Sequence, residues 1–389
     1  MPVVVLSGLR QTGKSTLLLR ESDFQKRIYY TFDDFRILDA ARHKTEELLD
    51  ASQSITLDEV QKCPEILNTI KFFVDQKRSK GRFLLSGSAN LALLEKVSES
   101  LAGRAIYLTL YPMTRREISK QTDLTPFVVE MFDKKTIPYG KIADALSFKE
   151  ILLGGLPPVC LHAEENNRIW FKGYEQTYLE RDVRQISNIT DAVSFHALMQ
   201  LTALRTGQIL KASELARDAK MNVATTLRHL HLMEATFMIR RIPPFLKNRS
   251  SRLIKSPKIY FTDSGIAAFL AEVEEKGDRS QDMLRGALLE TYVLQNLSAI
   301  LEAHLPEARI YFWNEQGRYE VDFVIEHKRN VIALEIKNAT RWSKNDLAGL
   351  EAFISRTPQC NMGILAYNGD KILPIDNKIW AVPIGILLS

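Results

Sequence analysis

Residues 8–15 read Gly-Leu-Arg-Gln-Thr-Gly-Lys-Ser, a set of residue types at a spacing that suits the binding of phosphate. The apolar run Val3–Leu6 precedes them and Leu17–Leu19 follows, so the sequence predicts a strand, a glycine loop and a helix. Such a loop turns backbone N–H groups toward phosphate, while a lysine adds charge and a serine hydroxyl reaches Mg²⁺. The residues expected to contact a nucleotide are Gly8, Leu9, Arg10, Gln11, Thr12, Gly13, Lys14, Ser15 and Thr16. The alternative is a glycine-rich turn without a ligand.

Two acids, Asp58 and Glu59, end a second apolar strand that starts at Ser54. A Mg²⁺ ion needs a carboxylate among its ligands, and a water that attacks phosphate needs a group to orient it. We expect Asp58 to hold the metal together with Ser15, and Glu59 to polarise the water. The alternative is a strand that merely ends in solvated acids.

Two further strands are predicted at Arg27–Phe32 and Arg82–Leu85. A strand inserted between the phosphate-loop strand and the Asp-Glu strand is the order seen in P-loop ATPases with a catalytic glutamate. Ser86 or Ser88, at the end of the later strand, takes the place of the polar residue that senses the γ-phosphate in such enzymes. An ordinary Ser-Gly-Ser turn is the alternative for either serine.

Arg104 follows Gly103 and precedes the predicted strand Ala105–Leu110. A guanidinium at such an edge is expected to reach a γ-phosphate in its own or a neighbouring subunit. A surface salt bridge is the alternative. An arginine that acts in trans would require a homo-oligomer.

The runs GLRQTGKST, ITLDEVQ, LLSGSAN, SESLAGR, LYPMTRREI, LLGGLPP and YLERDVR span essentially the whole chain. Together they resemble the prokaryotic AAA-type ATPases whose C-terminal half is a domain of unknown function. The resemblance implies ATP and Mg²⁺ at Lys14, Ser15, Asp58 and Glu59, and assigns Arg104 to the SLAGR motif. It implies an α/β fold: an AAA-like P-loop domain with a parallel sheet, a winged helix, and a domain similar to PD-(D/E)XK nucleases. Relatives usually carry a segment before the P-loop strand that helps to hold the base. Here Met1 lies almost on that strand, which leaves the base contacts and the true start of the chain open.

Length and composition fit a multidomain globular protein, because 389 residues with 45% hydrophobic content predict two or three domains with ample cores. We expect an ATPase core at 1–120, a helical connector at 121–195, a winged helix at 196–265 and a nuclease-like domain at 266–389. No apolar stretch approaches the length of a membrane span and no secretion signal opens the chain, so neither membrane insertion nor secretion is expected. The three cysteines, Cys63, Cys160 and Cys360, are far apart, which favours reduced thiols in the cytoplasm.

The basic charge of the chain concentrates between residues 204 and 258, where twelve Lys and Arg residues face three acids, although the whole chain carries only +5. Helices are predicted at Ala212–Lys220 and Val223–Glu234, with Asn222 as the N-cap of the second, and strands at 237–241 and 258–261. This is the outline of a winged helix, which predicts DNA binding. The second helix would present Thr225, Thr226, Arg228 and His229 to a groove, and the wing would present Lys247, Arg249 and Arg252 to phosphate. The alternative is a protein-contact module with a solvated basic face.

Acids and a lysine alternate along two strands near the C-terminus, Glu320–Glu326 and Val331–Lys337. If residues 327–330 form the hairpin loop, Glu326 faces Val331, and period two places four charged side chains on one face. Asp322 is then opposite Glu335 and Glu320 is opposite Lys337. Two facing carboxylates repel each other unless a cation lies between them.

A divalent metal beside a lysine is what hydrolysis of a phosphodiester requires. The D-x(12)-E-x-K spacing of Asp322, Glu335 and Lys337 resembles the PD-(D/E)XK core, and Glu290 on the preceding helix matches the acid that often completes its metal site. The alternative is a Glu320–Lys337 ion pair on a solvated sheet face. Two function classes follow: an ATPase that engages and cuts DNA, or a nucleotide-controlled switch whose C-terminal domain recognises DNA or protein without chemistry.

Overall fold

The computed structural model describes residues 1–87, 101–138, 144–162, 166–183, 192–246, 248–275, 282–315 and 317–389, with only the backbone of Arg181, Asp182, Arg249 and Leu253. The chain forms two compact units. The first comprises Met1–Tyr111, Tyr174–Thr190 and Leu230–Met238, and the second comprises Pro112–Gly173, Asp191–His229 and Ile239–Ser389.

A five-stranded parallel sheet, in the order β2-β3-β4-β1-β5, organises the first unit. Its elements are β1 (Val3–Ser7), α1 (Lys14–Arg20), β2 (Ile28–Thr31), α2 (Phe35–His43), α3 (Thr45–Asp50), β3 (Ile55–Asp58), a 3₁₀ turn (Val60–Lys62), α4 (Ile66–Gln76), β4 (Phe83–Ser86) and β5 (Ala105–Thr109). Strand β4 lies between β1 and β3, which is the inserted strand predicted from the sequence. The central strands β3 and β4 are buried along their whole length, as strands covered on both faces must be.

The elements between β5 and the C-terminal sheet are mostly helical, with one pair of short strands among them. They are α5 (Arg115–Ile118), α6 (Phe127–Lys134), α7 (Phe148–Leu153), α8 (Pro157–Cys160), α9 (Asn167–Thr177), a π-helical turn (Tyr178–Val183), α10 (Ala192–Ala203), α11 (Ala212–Asp218), α12 (Val223–Ala235), β6 (Ile239–Ile242), α13 (Arg249–Ile254), β7 (Lys258–Phe261), α14 (Ser264–Leu270) and α15 (Asp282–His304). None of the helices in the described part of the chain has the length and apolar character to span a membrane.

Helices α11 and α12 and the antiparallel pair β6 and β7 occupy the region for which a winged helix is predicted. The side chain of Asn222 accepts a hydrogen bond from the Thr225 N–H at 2.7 Å, so its predicted capping role is confirmed. The segment predicted as a wing loop contains a helix instead, because Asn248 caps α13 by accepting from the Ser250 N–H.

The C-terminal part is a mixed six-stranded sheet in the order β12-β13-β11-β10-β9-β8. Its elements are β8 (Arg309–Glu315), β9 (Tyr319–His327), β10 (Asn330–Lys337), a 3₁₀ turn (Lys344–Leu347), α16 (Ala348–Arg356), β11 (Cys360–Tyr367), β12 (Leu373–Pro374), β13 (Ile379–Pro383) and α17 (Ile384–Leu387). Strands β8, β9 and β10 form an antiparallel meander, and β11 returns parallel to β10 after α16. With α15 before it, the chain order is helix, three strands, helix, strand.

Gly154 and Gly155 lie against a buried acid, Asp263, within the second unit. Asp263 is fully buried and accepts hydrogen bonds from the N–H groups of Gly155 at 2.8 Å and Ile266 at 2.9 Å. A Cβ on Gly154 would lie 2.4 Å from the Asp263 carboxylate, and its φ of +66° also favours glycine. The glycines therefore let the connector approach the start of α14 closely.

Candidate functional site

The glycine loop joins β1 to α1 at the carboxyl edge of the parallel sheet. Gly8 has a φ of +141°, and a Cβ there would lie 2.2 Å from the Leu110 carbonyl oxygen, so only glycine fits. Lys14 is buried, and its Nζ donates to the carbonyl oxygens of Gly8 at 3.0 Å and Leu9 at 2.8 Å. Thr12 Oγ1 donates to the same Leu9 carbonyl at 2.9 Å. The loop is thus a preformed curl with a lysine ammonium held inside it.

Asp58 is the last residue of β3 and is 2% exposed. One oxygen of its carboxylate accepts a hydrogen bond from the Tyr29 hydroxyl at 2.6 Å, and the other accepts from the Glu59 N–H at 3.1 Å. Burial and the neighbouring Asp58 raise the pKa of Tyr29, so the phenol stays protonated and donates. A buried carboxylate and the hydroxyl of Ser15 are the hard oxygen donors that Mg²⁺ prefers, so these residue types fit the metal.

Glu59 follows in a left-handed backbone conformation, with a φ of 58°. Such a conformation costs a non-glycine residue on the order of 1 kcal/mol and clusters at functional sites. Burial raises the pKa of the Glu59 carboxyl, and the neighbouring charges of Asp58 and Asp33 add to that effect. Its carboxylate also accepts a hydrogen bond from the Gln61 side chain. Glu59 is therefore held in place as a stronger base than a solvated glutamate.

Ser86 ends β4, between the loop strand and the Asp58 strand. Leu57 pairs with Leu85, so one residue further Asp58 is level with Ser86, which pairs on its other side with Leu6. The Ser86 hydroxyl is buried and has no hydrogen-bond partner among the described residues. A buried orphan hydroxyl at this edge suits a polar ligand. Ser88, the other candidate, lies outside the described residues.

Arg104 does not join this constellation. It precedes β5, and its carbonyl accepts from the N–H of Val3 at the start of β1, which places it at the amino edge of the sheet. A strand of five residues separates that edge from the glycine loop by about 16 Å. The guanidinium makes two hydrogen bonds to Asp75, of 2.7 and 2.8 Å. The expectation that Arg104 reaches a phosphate in its own subunit is therefore wrong, and the observed salt bridge is the alternative that the sequence left open.

The second candidate site lies on β9 and β10. Glu326 pairs with Val331 and Phe323 pairs with Leu334, which confirms the predicted hairpin register. Continued by one residue, the register sets Asp322 opposite Glu335. The Asp322 carboxylate accepts from the Ile336 N–H at 2.8 Å, so it bridges the two strands at this level.

Four carboxylates surround this level, and each already has a partner in the chain. Glu335 pairs with Lys337 at 3.0 Å, and Glu290 on α15 accepts from the Tyr260 hydroxyl at 2.8 Å. Glu320 pairs with Lys258 at 2.5 Å. The Glu320–Lys337 ion pair, the alternative drawn from the sequence, is therefore not formed.

Burial dominates the electrostatics of these acids. It raises the pKa of Glu335 to about 9 and that of Glu290 to about 8, and in both the Asp322 charge adds to the effect. Burial also raises the pKa of Asp322 itself. Within the described ranges no three acids, histidines or cysteines converge closely enough to hold a metal ion. The metal site predicted at Glu290, Asp322 and Glu335 is therefore not assembled among the described residues, although the buried Oε2 of Glu335 has no hydrogen-bond partner there.

Helix α12 turns only part of its predicted DNA-reading face outward. Arg228 is exposed and Thr225 is partly exposed. Thr226 is fully buried and donates to the Asn222 carbonyl, and His229 is buried against the Phe195 ring, so the prediction for these two is wrong. Their side chains fill the space behind the helix rather than the groove-facing side.

Arg252 is also misassigned as a phosphate contact. Its side chain is 8% exposed, pairs with Glu326 at 2.8 Å and lies over the rings of Phe245 and Tyr311. Lys247 lies outside the described residues, and no side chain is described for Arg249. Arg252 and Lys258 are both neutralised by acids from beyond residue 258, so the basic excess at the surface is smaller than the local count predicts.

Four residues of these sites were missed in the sequence. Tyr29 and Gln61 contact the acids of the first site, while Lys258 and Tyr260 contact those of the second. Lys258 gave one signal, since it opens a strand whose residues are all buried, Lys-Ile-Tyr-Phe. A lysine in such a strand requires an acid partner.

Comparison with known families assigns the first segment. Residues 1–119 match the model described as AAA domain, which confirms the AAA-type P-loop part of the predicted fold. Residues 146–277 and 285–387 match two models described as Domain of unknown function, DUF8612 and DUF4143. The winged helix and the nuclease-like domain remain predictions.

The relatives found carry no assigned function. An uncharacterized protein of Mycobacterium tuberculosis is 29% identical over all of this chain and 81% of its own length, and one of Mycobacterium bovis matches equally. An uncharacterized protein of Methanocaldococcus jannaschii is 24% identical over 75% of this chain and 66% of its own length. A crystal structure of a Vibrio cholerae protein aligns over 94% of this chain and 88% of its own, at 11% identity and a TM-score of 0.18. This chain therefore carries a P-loop domain of the AAA type at residues 1–119, followed by two domains of unknown function.

Proposed function

We propose that the chain is an ATP-hydrolysing enzyme whose catalytic base is Glu59. One observation carries this proposal: the glycine loop, buried Asp58 and the orphan hydroxyl of Ser86 meet at the carboxyl edge of one parallel sheet. Edges of this kind, where the strand order reverses, are where open α/β sheets bind ligands. The AAA-domain match over the same residues supports ATP as the ligand.

Each side chain has a separate role in this proposal. The loop N–H groups and Lys14 bind the β- and γ-phosphates, Ser15 and Asp58 hold Mg²⁺, and the metal neutralises charge on the triphosphate when it is bound. Glu59 takes a proton from the attacking water, and Ser86 donates its hydroxyl toward the γ-phosphate or that water. Arg104 is left a role only on the nucleotide of a neighbouring subunit, which requires an oligomer.

Turnover of Mg-ATP by the wild type and by Glu59→Gln tests the proposal. The amide keeps the shape but cannot accept a proton, so we expect ATP to bind as before while hydrolysis slows by about 10²-fold or more. Glu65→Gln, the same change at an exposed acid nearby, should hydrolyse ATP like the wild type. Equal turnover in Glu59→Gln and wild type would remove Glu59 from its role.

We infer a nuclease-like fold for the C-terminal segment as a second candidate. The order α15, β8–β10, α16, β11 brings a helix acid and the Asp-Glu-Lys set of two adjacent strands together, as in the PD-(D/E)XK arrangement predicted from the sequence. Among the described residues the carboxylates do not form a metal site as placed, so we propose the fold without a cleavage step. Incubation of DNA with Mn²⁺ and wild type or Glu335→Ala tests cleavage, and equal cutting by both would assign it to a contaminant.

We also propose that the chain has the four segments predicted from the sequence. Within the third of them, the winged helix, we propose that DNA contacts the outer face of α12. Arg228 and Thr225 are the residues that support this proposal, since they lie on the accessible side of the helix. A nucleotide-controlled switch that recognises DNA or protein without cleaving it is the competing proposal. Stimulation of ATP hydrolysis by DNA in the wild type, and its loss in Arg228→Ala, would support the DNA contact at α12.

A further inference from the structure

Lys258, the first residue of β7, extends its side chain into the acidic cluster of the C-terminal sheet. Its Nζ lies 2.5 Å from a carboxylate oxygen of Glu320 and 3.8 Å from one of Glu290. The side chain is only 5% exposed. An ammonium thus stands among the acids that a metal ion would be expected to join.

The position of this ammonium is held by the backbone around it. Lys258 pairs with Ile242 in the β6–β7 pair and bridges to Ile209 on its other side. The turn between α10 and α11 is fastened to the same strand, because the Gly207 N–H donates to the Ile259 carbonyl at 2.7 Å. Lys258 and the acids also come from different family segments, 146–277 and 285–387. One module therefore supplies the cation for the other.

Charge explains why the acids do not converge on a metal ion. A buried ion pair of good geometry is stable, and removing one partner leaves a buried charge without compensation. While Lys258 pairs with Glu320 and lies 3.8 Å from the Glu290 carboxylate, a divalent ion entering the cluster would have to displace the lysine and would repel it at short range.

We propose that Lys258 Nζ is the resident cation of this carboxylate cluster and excludes divalent metal from it until the lysine side chain leaves. This inference rests on the nuclease-like fold proposed above and adds a control to it. In this proposal a residue of β7 controls whether a divalent metal ion can bind to the carboxylates of the segment that follows.

A cavity gives the cluster contact with solvent. It has a volume of about 330 Å³, and its walls include Lys258, Glu320, Gly207 and Lys211. A metal ion in solution can therefore reach the Glu320 end of the cluster once the lysine is replaced, which makes the proposal testable with the full chain.

Binding of Mn²⁺ to nucleotide-free protein, followed by electron paramagnetic resonance and by the melting temperature, is the test. We expect the wild type to show no Mn²⁺-dependent rise in melting temperature. Lys258→Met should melt at a lower temperature without metal, regain stability with Mn²⁺, and bind the ion roughly tenfold more tightly or better, because the competing charge is gone. Lys211→Met is the matched control, since Lys211 lines the same cavity but pairs with the exposed Glu214, and it should behave like the wild type.

Two further variants fix the interpretation. Adding Asp322→Asn to Lys258→Met should abolish the gain in Mn²⁺ binding, which assigns the ion to this cluster rather than to the glycine loop. If Lys258→Met does not fold, Lys258→Met with Glu320→Gln removes both members of the closest pair and keeps Glu290, Asp322 and Glu335 for the metal.

Each result decides the matter. Equal Mn²⁺ affinity at this cluster in wild type and Lys258→Met overturns the exclusion by Lys258 but leaves the nuclease-like proposal standing. Failure of every Lys258 variant to bind Mn²⁺ also overturns the exclusion, since the acids would then be a purely structural partner of the lysine, and it too leaves the nuclease-like fold standing. ATP hydrolysis, measured separately, is untouched by either outcome.

Discussion

Tyr29 and Asp58 are joined by a hydrogen bond of 2.6 Å from the phenol hydroxyl to the carboxylate, across the neighbouring strands β2 and β3. The bond fixes the orientation of the one carboxylate that is buried at the end of β3. Groups that orient a metal ligand in this way typically change metal affinity by about 10- to 100-fold when removed.

Tyr29→Phe should therefore raise the Mg²⁺ concentration needed for half-maximal ATP hydrolysis by about tenfold, with a smaller change in the rate at saturating Mg²⁺. A titration of turnover against Mg²⁺ measures this. Tyr30→Phe removes the hydroxyl of the neighbouring tyrosine, whose side chain packs against the core on the other face of the sheet. This variant should leave the Mg²⁺ titration unchanged. An unaltered Mg²⁺ requirement in Tyr29→Phe would show that the hydrogen bond has no part in metal binding.

Arg104→Ala should leave the turnover of dilute protein unchanged, because the residue lies at the edge of the sheet opposite the nucleotide. It should lower the melting temperature about as much as Asp75→Ala, which removes the other half of the salt bridge. Turnover measured across protein concentrations separates a role in trans. A rate that rises with concentration in wild type and Asp75→Ala, but not in Arg104→Ala, would identify an arginine supplied by a neighbouring subunit.

Glu335→Gln should stabilise the protein increasingly as pH rises in the presence of EDTA. The pKa of Glu335 is raised to about 9 in the folded chain, whereas the unfolded chain has the ordinary value near 4.5. Below pH 4.5 both states are protonated; above it the unfolded state loses its proton first, so the wild type loses stability up to about pH 9. The amide mimics the protonated acid and has no such loss, so we expect a difference on the order of 1 kcal/mol or more at pH 8.

Urea unfolding of both proteins at pH 5 and pH 8 checks the sign of this effect. Glu351→Gln, on the exposed side of α16, is the control and should show no change in its difference from wild type between the two pH values. A Glu335→Gln difference that shrinks with rising pH would contradict the burial of an acid in this cluster.

Arg252→Met and Arg228→Ala should separate a structural arginine from a DNA contact. Loss of Arg252 leaves Glu326 without its partner, so it should lower the free energy of unfolding by about 3 kcal/mol or more. Loss of Arg228, which is exposed, should leave the free energy of unfolding unchanged and should weaken DNA binding. The slope of the logarithm of the binding constant against the logarithm of the salt concentration should become smaller by about one. Denaturation and DNA titration at several salt concentrations distinguish the two variants. If the salt dependence of DNA binding by Arg228→Ala equals that of the wild type, α12 takes no part in DNA binding.

Local sequence was sufficient for features set by nearby residues. The glycine loop, the N-cap at Asn222 and the register of β9 with β10 depend on spacing and period alone. It failed where a side chain found its partner far along the chain. Arg252 and Lys258 read as free basic groups because Glu326 and Glu320 lie more than 60 residues away, and long-range pairing leaves no periodic signal.

The direction of a strand also escaped the sequence. Arg104 lies next to a glycine and a strand, as expected, but only the parallel pairing of β5 with β1 shows that this is the amino edge. Likewise, Thr226 and His229 occupy the predicted helix, but its inward face was set by packing against Phe195. The tertiary environment decided both cases.

Calorimetric titration of Mg-ATP into the wild type and into Lys14→Ala tests the central claim most directly. The buried ammonium of Lys14 lies inside the loop that is proposed to hold the triphosphate, so the wild type should bind with a dissociation constant in about the micromolar to millimolar range, and Lys14→Ala should show no detectable heat of binding. Absence of binding in folded wild type, or equal affinity in both proteins, would contradict the assignment of the loop as a nucleotide site.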